Sequence, residues 1–179
     1  MATVDSITNP DKMFTDGGIN VIIDRVTQAD GDKKTVTLSD GREIPYDKLL
    51  LGTGASPAIP PIEGHELEGV FTLRSAPDAE RIKNFLEERK AKKLVLIGAG
   101  FTNLEVATLL CETKPDQYEV TVIEILGYPL PLMVDSDMGV QVQEHLVEKG
   151  FNMKMDQKVT KIVGQNGLVT GVELESGET

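Results

Sequence analysis

Leu94-Val95-Leu96-Ile97-Gly98-Ala99-Gly100-Phe101-Thr102-Asn103-Leu104-Glu105 decides the fold of this chain: an apolar strand runs straight into a glycine turn and then into a helix. That order of elements is the context a dinucleotide fingerprint requires. Gly98 allows the tight turn, and Gly100 lets the backbone come close to a pyrophosphate. The first N–H groups of the helix, reinforced by its dipole, hold the negative charge. Gly98, Ala99, Gly100, Phe101, Thr102 and Asn103 are therefore the candidate cofactor contacts. A structural turn with no ligand is the plainer alternative for such glycines.

The next strand, Val120-Thr121-Val122-Ile123-Glu124, strengthens the cofactor reading because it ends on a carboxylate 26 residues past Gly98, near the ~20-residue interval of the fingerprint. A carboxylate there accepts hydrogen bonds from the adenosine ribose and repels a 2′-phosphate. Ile125, Leu126 and Gly127 supply no Arg or Lys to welcome that phosphate, so the expected cofactor is NAD rather than NADP. Taken alone, Glu124 would be a solvated strand-end carboxylate, and its functional reading depends on the glycine turn. Asn103 departs from the pattern. It stands where the fingerprint has its third glycine, and its added volume is expected to push the helix outward or narrow the pocket.

Working outward, the pattern divides into three zones. From Gly18 to Pro45 it is strand-like: Asn20 to Asp24 is β-branched, Lys34 to Leu38 alternates, and Asp40-Gly41 is a tight-turn signal. A β-meander is expected there, followed by a continuous apolar strand from Lys48 to Gly52. Pro57, Pro60 and Pro61 mark a linker. The second zone has a brief strand from Val70 to Leu73 and a helix capped by Ser75 with Pro77 early in it. Strand Lys93 to Gly98, helix Phe101 to Glu112 and strand Val120 to Glu124 follow. A helix from Asp135 to Lys149, closed by Gly150, then returns to a strand near Phe151 to Met155. The third zone is a hairpin, Val159 to Val163 and Leu168 to Leu174, joined at Gln165-Asn166-Gly167. The expected fold is α/β: a Rossmann-type three-layer NAD-binding domain with a β-meander, preceded by a segment rich in antiparallel strand. The expected division is 1–64 and 65–179.

Composition narrows the partners. The 179 residues are 40% hydrophobic, enough for a real core, and 29 acidic against 18 basic residues give a formal net charge of -11. Such a charge repels a phosphate backbone, so no nucleic-acid partner is expected. No apolar run approaches the ~20 residues of a membrane span, and Met1 to Pro10 has no leader pattern. One cysteine, Cys111, suits a reducing, cytoplasmic compartment and packs as core rather than redox chemistry. His65 and His145 lack ligand spacing, so no metal is expected.

With the Gly98/Gly100/Glu124 pattern and Tyr46-Asp47-Lys48-Leu49-Leu50-Leu51-Gly52-Thr53-Gly54-Ala55-Ser56-Pro57 in view, the chain resembles the FAD- and NAD(P)-dependent pyridine nucleotide-disulfide oxidoreductases. The resemblance extends over nearly the whole sequence. It implies that 1–64 is a partial FAD-binding segment and linker, with Thr53, Gly54 and Ala55 close to FAD, and that 65–179 is the NAD domain. Val70-Phe71-Thr72-Leu73-Arg74 resembles the entry into that domain in the NADH oxidase, coenzyme A disulfide reductase and ferredoxin-type reductase branch, where such an arginine contacts the flavin. Glu105 resembles the family's glutamate near the nicotinamide and flavin rings. Arg74 can instead pair with Asp78, and Glu105 can be surface charge.

The resemblance further implies hydride transfer from NADH to FAD and on to a disulfide, dioxygen or a redox protein. The chain has no earlier glycine fingerprint for the FAD pyrophosphate and no redox cysteine pair. It reads as an internal fragment, inactive alone, whose partners are the nicotinamide dinucleotide and the remainder of the parent chain, with self-association possible. The rival expectation is a non-catalytic Rossmann-like binding or interaction module that has lost its cofactor.

Overall fold

A computed structural model describes residues 11–114 and 116–179; the leader reading of Met1 to Pro10 lies outside them. The chain divides into two compact units, Met1–Ser56 and Pro57–Thr179.

The first unit contains a short helix, α1 (Asp11–Asp16), and an antiparallel meander of β1 (Val26–Asp30), β2 (Thr35–Leu38) and β3 (Glu43–Pro45), in the order β1-β2-β3. Asp30 shapes the first turn by accepting from the N–H groups of Asp32 and Lys33 at 3.0 and 2.9 Å. The second turn forms at Asp40-Gly41, as its sequence predicts, with Gly41 N–H donating to the Leu38 carbonyl at 3.0 Å. Two expected strands do not form. The meander starts at Val26, not in Asn20 to Asp24, and Lys48 to Gly52 is irregular with Leu50 92% and Leu51 70% exposed. Both segments have strand-forming side chains, but propensity becomes a strand only where a neighbouring backbone takes up its amides. Among the described residues no ladder partner runs beside either one.

The second unit opens with a stretch that lies along a later hairpin. Ile162 N–H donates to the Glu63 carbonyl at 2.8 Å, Val169 N–H to the Glu68 carbonyl at 2.9 Å, and Glu68 N–H to the Gly167 carbonyl at 2.9 Å. Lys161 and Glu63 add an ion pair at 2.7 Å. The bonds of Glu63 hold the end of the stretch that the prolines suggested was linker. Val70 to Leu73, expected as a strand, runs on without ladder pairing, although Phe71 packs edge-on against Phe85 at 5.2 Å. Helix α2 (Ala76–Arg89) starts where Ser75 predicted, with Pro in its first turn. The Asp78 carboxylate accepts from Ser75 N–H at 2.9 Å and Ser75 Oγ at 2.7 Å.

Strands β4 (Lys93–Ile97), β5 (Glu119–Ile123) and β6 (Asn152–Lys154) form a parallel sheet in that order, linked by α3 (Phe101–Thr113) and α4 (Ser136–Glu148). Alternation along β5 divides its two faces. Val120 and Val122 join Leu104 and Ala107 of α3, Leu146 of α4 and Phe151 in one core. Ile123 points the other way and packs with Val159, Leu174, Ile62 and Val172. The second group belongs largely to the hairpin β7 (Val159–Gln165) and β8 (Leu168–Leu174). Helices, parallel sheet and hairpin are thus three layers, and the expected α/β Rossmann-type architecture is present. The hairpin turns on Asn166 and Gly167, with φ of 54° and 81°, the paired positive values of a type I′ turn.

Candidate dinucleotide site

The parallel pairing of β4 with β5 brings the C-terminal ends of both strands, and therefore Gly98 and Glu124, to one end of the sheet. Gly98 has φ of 94°, a left-handed backbone that side chains with a Cβ resist. Its N–H donates to the Ile123 carbonyl at 2.7 Å, and the Ala99 carbonyl accepts from Leu130 N–H at 2.9 Å. Ala99 itself is fully buried, so the turn is tied down on the protein side.

Gly100 is a different case. Its φ of -79° is ordinary for any residue, and a Cβ built on it would meet nothing within 4 Å. Neither conformation nor packing within the protein therefore calls for glycine there. Gly100 is also the N-cap of α3, which has no side-chain cap, and helix starts leave their first N–H groups without intrahelical partners. Among the described residues no acceptor meets the N–H of Gly100, Phe101 or Thr102, and all three residues are exposed. Open space in front of uncapped, solvent-facing donors suits a dinucleotide pyrophosphate.

Glu124 is 8% exposed. Its Oε2 accepts from Ala99 N–H at 2.7 Å and its Oε1 from Leu126 N–H at 3.0 Å, compensation that a buried carboxylate needs. Each oxygen keeps a further lone pair for a donor such as a ribose hydroxyl. Beyond it lies an open depression of about 370 Å³ lined by Ile125, Asp156, Gln157, Lys158, Glu175 and Ser176. Its one cation, Lys158, is paired with Glu175 at 3.1 Å, and nearby Lys154 with Glu178 at 2.5 Å.

Asn103 turns its side-chain amide onto the backbone of the glycine turn. Its Nδ2 donates to the carbonyls of Ile97 and Gly98, both at 2.9 Å, and one turn further on Ala107 is fully buried in the helix-side core. Glu105 lies exposed on α3. Thr53, Gly54 and Ala55 are exposed in the irregular end of the first unit. Arg74 is exposed in the second unit, and it is its backbone N–H that meets Asp78, at 3.2 Å; the guanidinium that pairs with Asp78 belongs to Arg81, at 2.7 Å. The turn residues and Glu124 are therefore brought together in the second unit, which also holds Arg74, whereas Thr53 to Ala55 belong to the first. Cys111 packs against the helix-side core, and burial pushes its thiol up. Among the described residues no group of three or more His, Cys, Asp or Glu side chains gathers as a metal site, and no helix is long and apolar enough to cross a membrane.

Sequence reasoning missed Leu126, whose backbone N–H holds the Glu124 carboxylate, and Leu130, whose backbone N–H holds the turn at Ala99. Leu130 has φ of 58°, a conformation that a leucine does not advertise, so no residue-type signal pointed to it. Pro129 beside it is fully buried.

Residues 5–179 match the family described as pyridine nucleotide-disulphide oxidoreductase. The chain is 38% identical over 150 residues to an NADH oxidase of Methanocaldococcus jannaschii, covering 80% of this chain and 33% of that protein. It is 35% identical over 170 residues to a rubredoxin-NAD(+) reductase of Pseudomonas putida, covering 94% and 43%. Among solved structures, a ferredoxin reductase from Rhodopseudomonas palustris superposes with a TM-score of 0.87 at 29% identity, over 96% of this chain and 41% of that one. An NAD-dependent persulfide reductase from A. fulgidus does so with a TM-score of 0.83 at 43% identity, over 93% and 30%. The chain thus spans less than half the length of each of these relatives, and it matches them over 80% to 96% of its own. By this match, and with its glycine turn and strand-end carboxylate in one place, the chain belongs to the pyridine nucleotide-disulphide oxidoreductase family.

Proposed function

We propose that this chain is the nicotinamide-dinucleotide-binding part of a flavin-dependent oxidoreductase and that it selects NADH over NADPH. The observation that carries the reading is Gly100: a glycine that the protein's own conformation and packing do not require, standing before open helix donors. The pyrophosphate lies against the turn at Gly98 and the open donors of Gly100, Phe101 and Thr102, and the adenosine ribose donates to the remaining lone pairs of Glu124. Selectivity comes from charge. A 2′-phosphate entering beside Glu124 would face Asp156 and Glu175, with Lys154 and Lys158 already paired to carboxylates.

In the whole protein, NADH supplies a hydride to FAD, which passes electrons to a disulfide, dioxygen or a redox protein. The names of the relatives support that range: an NADH oxidase, a rubredoxin reductase and a persulfide reductase. In this reading residues 1–64 belong to the flavin side, where Thr53, Gly54 and Ala55 approach FAD, and 65–179 to the nicotinamide side. By the family resemblance, Arg74 would help to hold the flavin ring and Glu105 would lie near the nicotinamide and flavin rings. The remainder of the parent chain supplies the rest of the flavin site, and the single cysteine suits a cytoplasmic setting. Replacing Glu124 with Arg tests the assignment: the preference for NADH should relax toward NADPH in a binding titration, and an unchanged preference would remove Glu124 from the ribose contact.

A further inference from the structure

We infer that Asn103 is a positioning residue that holds the glycine turn in its binding form, so the departure from the usual third glycine is a gain of order. Both acceptors of its Nδ2 are backbone carbonyls, those of Ile97 and Gly98, each at 2.9 Å. That pairing fixes the side-chain amide's orientation, because only its NH₂ can donate.

The Gly98 carbonyl and the Ala99 N–H are the two ends of one planar peptide group. Asn103 holds the carbonyl end, and Glu124 Oε2 holds the N–H end at 2.7 Å. One clamp comes from helix α3 and the other from the end of β5. The peptide between them follows a glycine at φ 94°, whose freedom to occupy both hands makes this the linkage most prone to rotate. Rotation would turn the N–H away from Glu124 and bring a carbonyl oxygen toward its carboxylate. Asn103 opposes that rotation, whereas a glycine at the same position has no donor with which to do so. Its effect therefore reaches Glu124 through the peptide.

The consequence for binding rests on the dinucleotide reading; the clamp itself does not. Replacing Asn103 with Gly, which would restore the commoner residue, should weaken NADH binding by about fivefold to tenfold, the scale of one lost hydrogen bond. If Asn103 were only bulk in the pocket, the same change would tighten binding. The effect should also shrink in a Glu124→Gln background, because the two side chains act on one peptide.

The test is amide hydrogen exchange by NMR on the ligand-free full chain, comparing wild type with Asn103→Gly and with Asn103→Asp, which keeps the size and removes the donors. The expected result is exchange at Ala99 that is at least about tenfold faster in both variants, with Val122 in the neighbouring strand unchanged. Unchanged Ala99 exchange, or an equal rise at Ala99 and Val122, would overturn the clamp, and tighter NADH binding by Asn103→Gly would overturn its role in holding the binding form. Wild-type protein that binds no NADH would instead remove the dinucleotide reading, and the exchange comparison would still decide the role of Asn103.

Discussion

Gly98 and Gly100 differ in why they are glycine, and the difference separates stability from binding. At Gly98 the backbone requires it: φ is 94°, and Gly98→Ala should cost about 1–2 kcal/mol from the left-handed conformation, read as a lower midpoint in thermal unfolding. At Gly100 the backbone requires nothing of the kind, and an N-cap prefers Asp to Gly by roughly a few tenths of a kcal/mol. Gly100→Asp should therefore leave the fold as stable or slightly more so. The same carboxylate would take up the helix donors and repel a pyrophosphate, so NADH binding should fall more than about tenfold, the reach of charge-assisted contacts. A Gly100→Asp protein that binds NADH normally would move the pyrophosphate elsewhere.

Elements owe their ends to a few local devices, and two of these can be tested. The start of α2 depends on the Asp78 carboxylate, which Ser75 above all, with help from Arg74 N–H and Arg81, holds down to about 2 against an ordinary value of 3.8. A depressed carboxylate stabilises the folded state fully above its unfolded value, and that contribution disappears as pH falls through the folded one. Thermal stability should therefore drop between about pH 4 and pH 2, and Asp78→Asn should flatten that part of the profile. Helix α4 is seated through Gly139, where a Cβ would lie 2.2 Å from the Tyr128 ring. Gly139→Ala should destabilise by about 1–3 kcal/mol, the range of overpacking, measured by denaturant unfolding.

At this scale the sequence was most legible where an element carries its own partners. The β4–α3–β5 unit, α4 and the hairpin at Asn166-Gly167 could be read because glycine turns, caps and apolar periodicity mark them locally. Asn20 to Asp24, Lys48 to Gly52 and Val70 to Leu73 were misread as strands because β-branched and leucine side chains announce propensity, while a ladder depends on a neighbour. In the candidate site, Gly98, Gly100 and Glu124 were legible from type and spacing. The inward bonds of Asn103 and the backbone donors Leu126 and Leu130 were not, since a hydrogen bond across a turn leaves no mark in residue identity.

Over the whole molecule, the acidic surface and the exposed apolar segments pull in opposite directions. The formal charge of -11 keeps copies apart, while Leu50 and Leu51 stand 92% and 70% exposed and Ile23 87%. Exposed apolar surface of this kind favours association. The chain should self-associate more as salt screens its charge, and Leu50→Lys with Leu51→Lys should return it to a monomer in sedimentation velocity. Association unaffected by both salt and these changes would place the contact elsewhere.

The most direct measurement is a calorimetric titration of this chain with NADH and with NADPH, run beside Gly100→Asp. NADH binding to the wild type, much weaker NADPH binding, and little NADH binding to a folded Gly100→Asp protein are the expected results. A folded wild type that binds neither nucleotide, or a Gly100→Asp protein that binds NADH as the wild type does, would contradict the assignment of the glycine turn as the dinucleotide site.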